Sequence, residues 1–123
     1  VANFLKNHSK VNYVSWAGFK ENIYHELAKK YFKDGFGSVF TFSLKSGYEG
    51  AMQLVENCNL ISHLANVGDT RSLIVHPAST THRQLSNEQK EKSGVGDSII
   101  RLSIGLESHK DIIADLEGAL STI

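Results

Sequence analysis

Apolar residues recur along this chain at two different spacings, which together predict a mixture of strands and helices. Strict alternation of apolar and polar residues in Val39–Leu44 and in Ile100–Gly105 predicts two strands that each bury one face. The segments Val11–Trp16, Leu60–Leu64 and Ser72–His76 are shorter strand candidates. The strands therefore account for the period-2 part of the pattern.

Spacings of three and four residues predict the helices. Such positions indicate a helix between residues 20 and 31, whose apolar face is formed by Ile23, Tyr24, Leu27, Ala28 and Tyr31. The last helix has the cleanest apolar face, formed by Ile112, Ile113, Leu116, Ala119 and Leu120. An opening helical turn or two is expected at Val1–Leu5.

Serine residues predict where three of the helices begin. Ser46 with Glu49 and Ser86 with Gln89 have the spacing of a capping box, in which the two side chains bond backbone N–H groups of the first turn. Ser108, three residues before an aspartate, is expected to open the last helix.

Mixed helices and half-polar strands favour an α+β fold, in which an antiparallel sheet is covered by helices on one face. The length of 123 residues fits a single domain over residues 1–123. The second sheet face would carry Thr41, Ser43, Arg101 and Ser103. This polar face either meets water or faces another domain.

Composition narrows the class of protein. Thirteen basic residues balance thirteen acidic ones, so no net charge favours binding to nucleic acid or to an anionic membrane. A single cysteine, Cys58, excludes an internal disulfide framework and fits a reducing compartment such as the cytoplasm. No apolar run approaches the roughly 20 residues of a membrane span. The uncapped helical start at Val1 predicts a piece of a longer polypeptide, with a processed N-terminus as the alternative.

Arg101 is the strongest candidate for chemistry. It lies inside a predicted strand, where an unpaired guanidinium is costly to bury, so it either meets water or holds an anion. Its planar fork can grip a carboxylate through two parallel hydrogen bonds. An exposed or structurally paired arginine is the competing interpretation.

Other candidates have simpler explanations. The six histidines have no HxxxH or HExxH spacing and Cys58 has no CxxC partner, so no metal site is predicted. Cys58 is expected to be a small buried residue rather than a nucleophile. The hydroxyl groups either line a site or bond their own backbone; they belong to Ser72, Ser79, Thr80 and Thr81. No lysine lies in the apolar setting that Schiff-base chemistry needs, so the chain resembles part of an active site.

Two segments carry a resemblance to a known family. Residues Ala65–Leu85, which include the run HPASTTH, and Ile100–Glu107, which begin with IRLSIG, closely resemble the C-terminal part of the Cys/Met-metabolism enzymes that depend on pyridoxal phosphate. The resemblance extends over nearly the whole chain, including Ser43–Tyr48. Within the family, the chain is most similar to the O-acetylhomoserine sulfhydrylases.

The resemblance implies a fold and a division of labour. The fold would be the small C-terminal domain of a fold-type I enzyme, packed against a larger domain that holds the cofactor and supplies its lysine. That larger domain lies outside this chain, so no catalytic or cofactor-binding residue is assigned here and no bound cofactor is expected on this piece. The arginine of the RLS motif, which is Arg101 here, would bind the α-carboxylate of the substrate. Ser72, the serine of the SL segment, would be a second substrate-binding residue.

The resemblance also implies an activity. The parent enzyme would be a cytoplasmic homotetramer that replaces the acetate of O-acetylhomoserine by sulfide or a thiol, giving homocysteine or methionine in a γ-replacement. This piece alone is expected to be inactive. One alternative is a sister enzyme of the family, such as cystathionine γ-synthase or methionine γ-lyase. The other is a free-standing module that binds carboxylates or proteins without catalysis.

Overall fold

The computed structural model describes the backbone of residues 1–123 and all side chains except those of residues 87 and 91. A five-stranded sheet is built from β1 (Val11–Ser15), β2 (Val39–Leu44), β3 (Ser62–His63), β4 (Leu73–Val75) and β5 (Ile99–Ser103). The helices are α1 (Ala2–Asn7), α2 (His25–Tyr31), α3 (Gly47–Asn57), α4 (Asn87–Lys92) and α5 (His109–Ser121). The predicted α+β class is confirmed. None of the helices in this described chain is long and apolar enough to cross a bilayer.

The strand order is β1-β2-β5-β4-β3, so the last strand of the sequence lies in the centre of the sheet. Its Arg101 is paired with Thr41 of β2 on one side and with Val75 of β4 on the other. The β1–β2, β2–β5 and β4–β5 pairs are antiparallel, as predicted. The short edge pair β3–β4 is parallel, because residues 64–72 return along the sheet before β4 begins. The sheet is therefore mixed at that edge.

The hydrophobic core lies on one side of the sheet. Phe42 and Ile100 are opposite each other in the β2–β5 pair and are both fully buried. The helices α3 and α5 contact each other there, and α5 contributes Ile112 and Leu116 to the core. The apolar face predicted for the last helix is thus confirmed at Ile112, Leu116, Ala119 and Leu120. Arg101 lies on the other face of the sheet, where Leu73 and Val75 are also buried but do not belong to this core.

The second helix departs from the prediction. It begins at His25, because residues 16–25 form successive turns closed by bonds such as Phe19 N–H to the Trp16 carbonyl, 3.1 Å. Ala28 is buried, but Ile23 and Leu27 are 85% and 51% exposed. The predicted apolar face therefore exists in sequence but does not join the core of this chain.

Only one of the two predicted capping boxes forms. Ser86 N–H donates to the side-chain oxygen of Gln89 over 2.9 Å, and Gln89 N–H donates to Ser86 Oγ over 3.3 Å. Ser46 does precede α3, but its side chain makes no cap hydrogen bond and lies over Gly50 instead. Ser108 precedes α5, also without a side-chain cap bond.

Candidate functional site

Arg101 lies in the middle of the sheet, on the face opposite the helix-covered core. Its strand neighbours Ile100 and Leu102 are fully buried in the core, whereas Arg101 is half-buried. Successive side chains of a strand point to opposite faces, so the core packing of the neighbours fixes the direction of the guanidinium. Thr41 and Val75, the cross-strand partners of Arg101, share its face.

A small cleft lies beside Arg101. Its lining combines two strands with the loop that precedes β4 and consists of Leu64, Ala65, Asn66, Leu73, Val75, Arg101 and Ser103. The cleft has about 10 Å³ of free volume, which is room for about one water molecule. A ligand carboxylate would therefore meet Arg101 at the mouth of the cleft.

The charge of Arg101 is not neutralised within the described part of the chain. Among the described side chains, no carboxylate lies within ion-pair distance of its guanidinium. Arg71 provides the contrast, since its Nη2 lies 2.9 Å from Asp69 Oδ2 and its Nε lies 3.1 Å from Asp69 Oδ1. The two arginines near this loop therefore differ: Arg71 has an internal partner, and Arg101 is available for an external anion.

Asp69 organises the loop that forms one wall of the cleft. Its carboxylate accepts hydrogen bonds from the backbone N–H and side chain of Arg71 and from Asn66 Nδ2, the last over 3.1 Å. Hydrogen bonding by Arg71 holds the pKa of the Asp69 carboxyl well below its ordinary value. The loop therefore carries an ionised aspartate at neutral pH. The position of Asn66 beside Arg101 depends on this bonding.

Ser72 does not share the cleft with Arg101. It is fully buried, directly before the cleft residue Leu73. Its backbone N–H donates to Glu107 Oε1 over 2.7 Å, and its hydroxyl donates to Glu107 Oε2 over 2.8 Å. The same hydroxyl accepts the N–H of Gly105 over 2.9 Å. These bonds give Ser72 a defined structural role, and its contact with a substrate stays a prediction.

The hydroxyls after β4 bond their own loop. Thr80 Oγ1 donates to the His76 carbonyl over 2.8 Å, Ser79 Oγ lies 3.0 Å from His76 Nδ1, and Thr81 Oγ1 lies 2.8 Å from His82 Nδ1. The sequence left open whether these hydroxyls line a site or bond their own loop, and in the structure all three bond their own loop. None of these three residues is among the described residues that line the cleft beside Arg101.

Cys58 behaves as a small, partly buried residue. It follows α3, packs against the core, and its thiol donates to the Leu54 carbonyl over 3.3 Å. Burial raises the pKa of the Cys58 thiol to about 12, and the nearby Asp115 carboxylate adds to the effect. Such a thiol is protonated at neutral pH and is a poor nucleophile.

The sequence missed the neighbours of Arg101. Asn66 is 35 residues away in the chain and joins the site only because β5 lies next to β4. The available signal was the turn-like Gly68-Asp69 pair, which indicated a loop before β4. The local sequence pattern did not indicate which strand that loop would approach.

Comparison with known proteins assigns the family. Residues 1–121 match the family model described as Cys/Met metabolism PLP-dependent enzyme. An O-acetyl-L-homoserine sulfhydrylase 1 of Thermus thermophilus is 48% identical over 121 residues, which are 98% of this chain and 29% of that protein. An L-methionine gamma-lyase of Fusobacterium nucleatum subsp. polymorphum is 45% identical over 123 residues, which are 100% of this chain and 31% of that protein.

Solved structures agree with the sequence relatives. A Campylobacter jejuni structure, described as an O-acetylhomoserine (thiol)-lyase with N'-pyridoxyl-lysine-5'-monophosphate, matches with a TM-score of 0.89 and 45% identity over 98% of this chain and 28% of that one. A cystathionine gamma synthase of Xanthomonas oryzae pv. oryzae matches with a TM-score of 0.87 and 36% identity over 98% of this chain and 31% of that one. The predicted fold of a small domain from a fold-type I enzyme is confirmed.

The match leaves most of each relative uncovered, since the chain spans between 28% and 31% of the length of these proteins. Pyridoxal phosphate is the cofactor of the family. Arg101 is the only cation among the described residues that line the cleft, and no lysine is among them, so these residues do not fit the cofactor by themselves. The binding of a substrate carboxylate by Arg101 stays a prediction. This chain belongs to the family of Cys/Met-metabolism PLP-dependent enzymes.

Proposed function

We propose that this chain is the substrate-carboxylate part of a pyridoxal-phosphate-dependent sulfhydrylase, which makes homocysteine or methionine from O-acetylhomoserine and sulfide or a thiol. The observation that carries the proposal is the unpaired guanidinium of Arg101 at the mouth of the cleft. Similarity to the Thermus sulfhydrylase over 98% of the chain supports this substrate class.

Arg101 would act by orienting the substrate. A guanidinium can donate two parallel hydrogen bonds to one carboxylate, which fixes the plane of the carboxylate as well as its position. The antiparallel neighbours Thr41 and Val75 hold the arginine backbone on both sides. A substrate gripped this way presents its α-carbon in one direction, and that positioning is what the chain contributes to catalysis. In this proposal Ser72 stays a predicted second substrate-binding residue, and its bonds to Glu107 fasten the start of β4.

The remaining parts of the active site are proposed to lie on polypeptide that this chain does not include. The coverage of relatives supports this, since each is more than three times as long as the matched region. In this proposal residues 1–123 form one small domain of a cytoplasmic homotetramer and have no activity alone. A free-standing module is the competing proposal, and reading the coding sequence upstream of Val1 separates the two. The enzyme proposal requires a long open reading frame upstream of Val1.

Replacing Arg101 in the complete enzyme tests the carboxylate site. We expect Arg101→Lys to raise KM for O-acetylhomoserine by about tenfold or more, because an ammonium cannot make the paired bonds of a guanidinium. KM for sulfide should change little. Arg83→Lys is the matched control, since Arg83 is exposed in the loop after β4. An unchanged KM for the amino acid in Arg101→Lys would remove Arg101 from this role.

A sister activity is the second candidate. The methionine gamma-lyase matched above is 45% identical to this chain, against 48% for the Thermus sulfhydrylase, and the cystathionine gamma synthase shares the fold at 36% identity. Steady-state assays of the complete enzyme separate them with three substrate sets: O-acetylhomoserine with sulfide, an activated homoserine with cysteine, and methionine alone. The proposed sulfhydrylase uses the first set best. A higher kcat/KM with either other set favours the corresponding sister enzyme.

A further inference from the structure

Glu107 joins the two strands that form the cleft. Its carboxylate accepts the backbone N–H of Ser72 over 2.7 Å and the Ser72 hydroxyl over 2.8 Å. The hydroxyl in turn accepts Gly105 N–H over 2.9 Å, and Leu106 N–H donates to the Thr70 carbonyl over 2.9 Å. We call these four bonds the Glu107 clamp. The clamp fastens the start of β4 to the segment that follows β5.

The clamp is tightly packed and charged. A Cβ atom built on Gly105 would lie only 2.3 Å from the Thr70 carbonyl oxygen and 2.5 Å from the backbone nitrogen of Ser72. The two backbones therefore cross in direct contact, which only glycine permits at this position. The Ser72 backbone N–H lowers the pKa of the Glu107 carboxyl below its ordinary value. The carboxylate is thus ionised at neutral pH and makes charge-assisted bonds.

The clamp lies at the end of the cleft strands. Ser72 is followed at once by Leu73, which lines the cleft and is paired with Ser103 of β5. Ser103 lines the same cleft two residues from Arg101. The loop that carries Asn66 also enters β4 through Ser72. The position of the loop wall relative to the guanidinium is therefore set where Glu107 bonds Ser72.

We propose that Glu107 is a positioning residue for the carboxylate site: it acts through Ser72 and Leu73 to hold the cleft loop in place beside Arg101. This inference rests on the proposed function. In this proposal Glu107 does not contact the substrate itself. Loss of the clamp should displace the loop wall and weaken the binding of the amino-acid substrate more than it affects the second substrate.

Kinetics of the complete holoenzyme test the inference with Glu107→Ala and Glu107→Gln. The alanine variant removes both acceptors, and we expect KM for O-acetylhomoserine to rise by about tenfold while KM for sulfide is unchanged. The glutamine variant keeps an acceptor for Ser72 N–H, so it should recover part of the loss. It also carries the test if the alanine variant fails to fold.

Asp115→Asn is the matched control for a merely structural role. Asp115 also uses both carboxylate oxygens to hold backbone, accepting Asn59 N–H over 2.8 Å and Ile61 N–H over 3.0 Å. It lies on α5, on the helix-covered side of the sheet. This variant should lower the thermal midpoint of unfolding without a selective change in KM for the amino acid.

Amide hydrogen exchange gives a second readout that does not depend on turnover. Glu107→Gln should speed exchange in residues 64–72 relative to wild type, and Asp115→Asn should not. Equal KM values for O-acetylhomoserine in wild type and both Glu107 variants would overturn the inference, as would unchanged exchange in residues 64–72. If Arg101→Lys raises that KM while the Glu107 variants do not, only the clamp inference fails. If Arg101→Lys leaves it unchanged, the proposed function itself fails.

Discussion

The imidazole of His76 is completely buried, with its Nε2 atom 2.8 Å from the backbone carbonyl oxygen of Asp97. A carbonyl oxygen only accepts, so Nε2 carries a proton and donates it. Nδ1 lies 3.0 Å from Ser79 Oγ, and the ring packs edge-on against Tyr48 with 4.9 Å between centroids. Burial lowers the pKa of His76 below its ordinary value of 6.5, although the bond to Asp97 opposes this shift. The folded chain therefore holds His76 neutral.

A buried neutral histidine should make stability depend on pH. Below its ordinary pKa of 6.5, the imidazole gains a proton in the unfolded chain more readily than in the folded one. The unfolded state then binds more protons, so the free energy of unfolding falls as pH falls below that value and is independent of His76 well above it. Urea unfolding at about pH 7.5 and about pH 5.5 measures the difference.

His76→Asn should flatten that part of the pH dependence, although it also lowers stability at neutral pH. The exposed His109 supplies the control, and His109→Asn should keep the wild-type slope. A wild-type slope retained in His76→Asn would mean that other groups cause the acid sensitivity.

Cys58 should resist modification in the folded chain. Its thiol pKa of about 12 leaves almost no thiolate at neutral pH, and partial burial restricts access to the sulfur. We expect a thiol-specific chromogenic disulfide to react at least about a hundredfold more slowly with folded than with urea-unfolded chain. Because the folded pKa lies above the value of 9.0 for an ordinary thiol, stability should also fall as pH rises past that value. Fast stoichiometric labelling of Cys58 under native conditions would contradict the expected slow reaction of the folded chain.

Long regular patterns in the sequence predicted their elements well. The alternation in Val39–Leu44 and the helical repeat up to Leu120 each repeat a local rule several times, and tertiary packing follows the same rule. The helix predicted for residues 20–31 begins only at His25, and its apolar residues other than Ala28 are largely exposed in the described structure. Amphipathic spacing indicates a face to be covered, and the covering surface need not belong to the same chain segment.

The candidate site was only half predictable for a physical reason. Arg101 stands out locally, since a strand interior is a costly place for a charge. Its neighbour Asn66 and the contact of Ser72 with Glu107 depend on pairings between segments about 35 residues apart. Such pairings follow from the strand order, which local patterns do not specify.

Phe42 should be among the most important residues for stability. Its side chain is fully buried in the core, and it is paired with Ile100 in the centre of the sheet. Phe42→Ala should lower the free energy of unfolding by about 3–5 kcal/mol, from lost burial and the cavity left behind. Tyr13→Ala is the comparison, since Tyr13 is 46% exposed on the opposite face. Chemical denaturation should show a clearly smaller loss for Tyr13→Ala; equal losses would contradict this assignment of the core.

Two glycines should respond to alanine with opposite sign. Gly118 lies inside α5, and a Cβ there would meet nothing within 4 Å. Gly118→Ala should therefore raise the free energy of unfolding by up to about 1 kcal/mol, which is the difference in helix propensity between the residues. Gly105→Ala instead forces a methyl group against the Thr70 carbonyl, where backbone rather than a flexible side chain must shift. We expect a loss of about 3 kcal/mol, at the upper end of the usual range for overpacking, because the site is rigid.

Comparing Gly105→Ala with Gly118→Ala also shows whether a loss of stability comes from a local steric clash or from any added methyl group. Both variants add the same methyl group, and neither glycine has a positive φ, so backbone conformation does not distinguish them. Thermal and urea unfolding of the two variants, measured beside wild type, should place Gly118→Ala above it and Gly105→Ala below it. Near-equal stability of Gly105→Ala and wild type would mean that the segments at Thr70 and Gly105 are not in contact. In that case the backbone crossing that brings Ser72 to Glu107 would have to be abandoned.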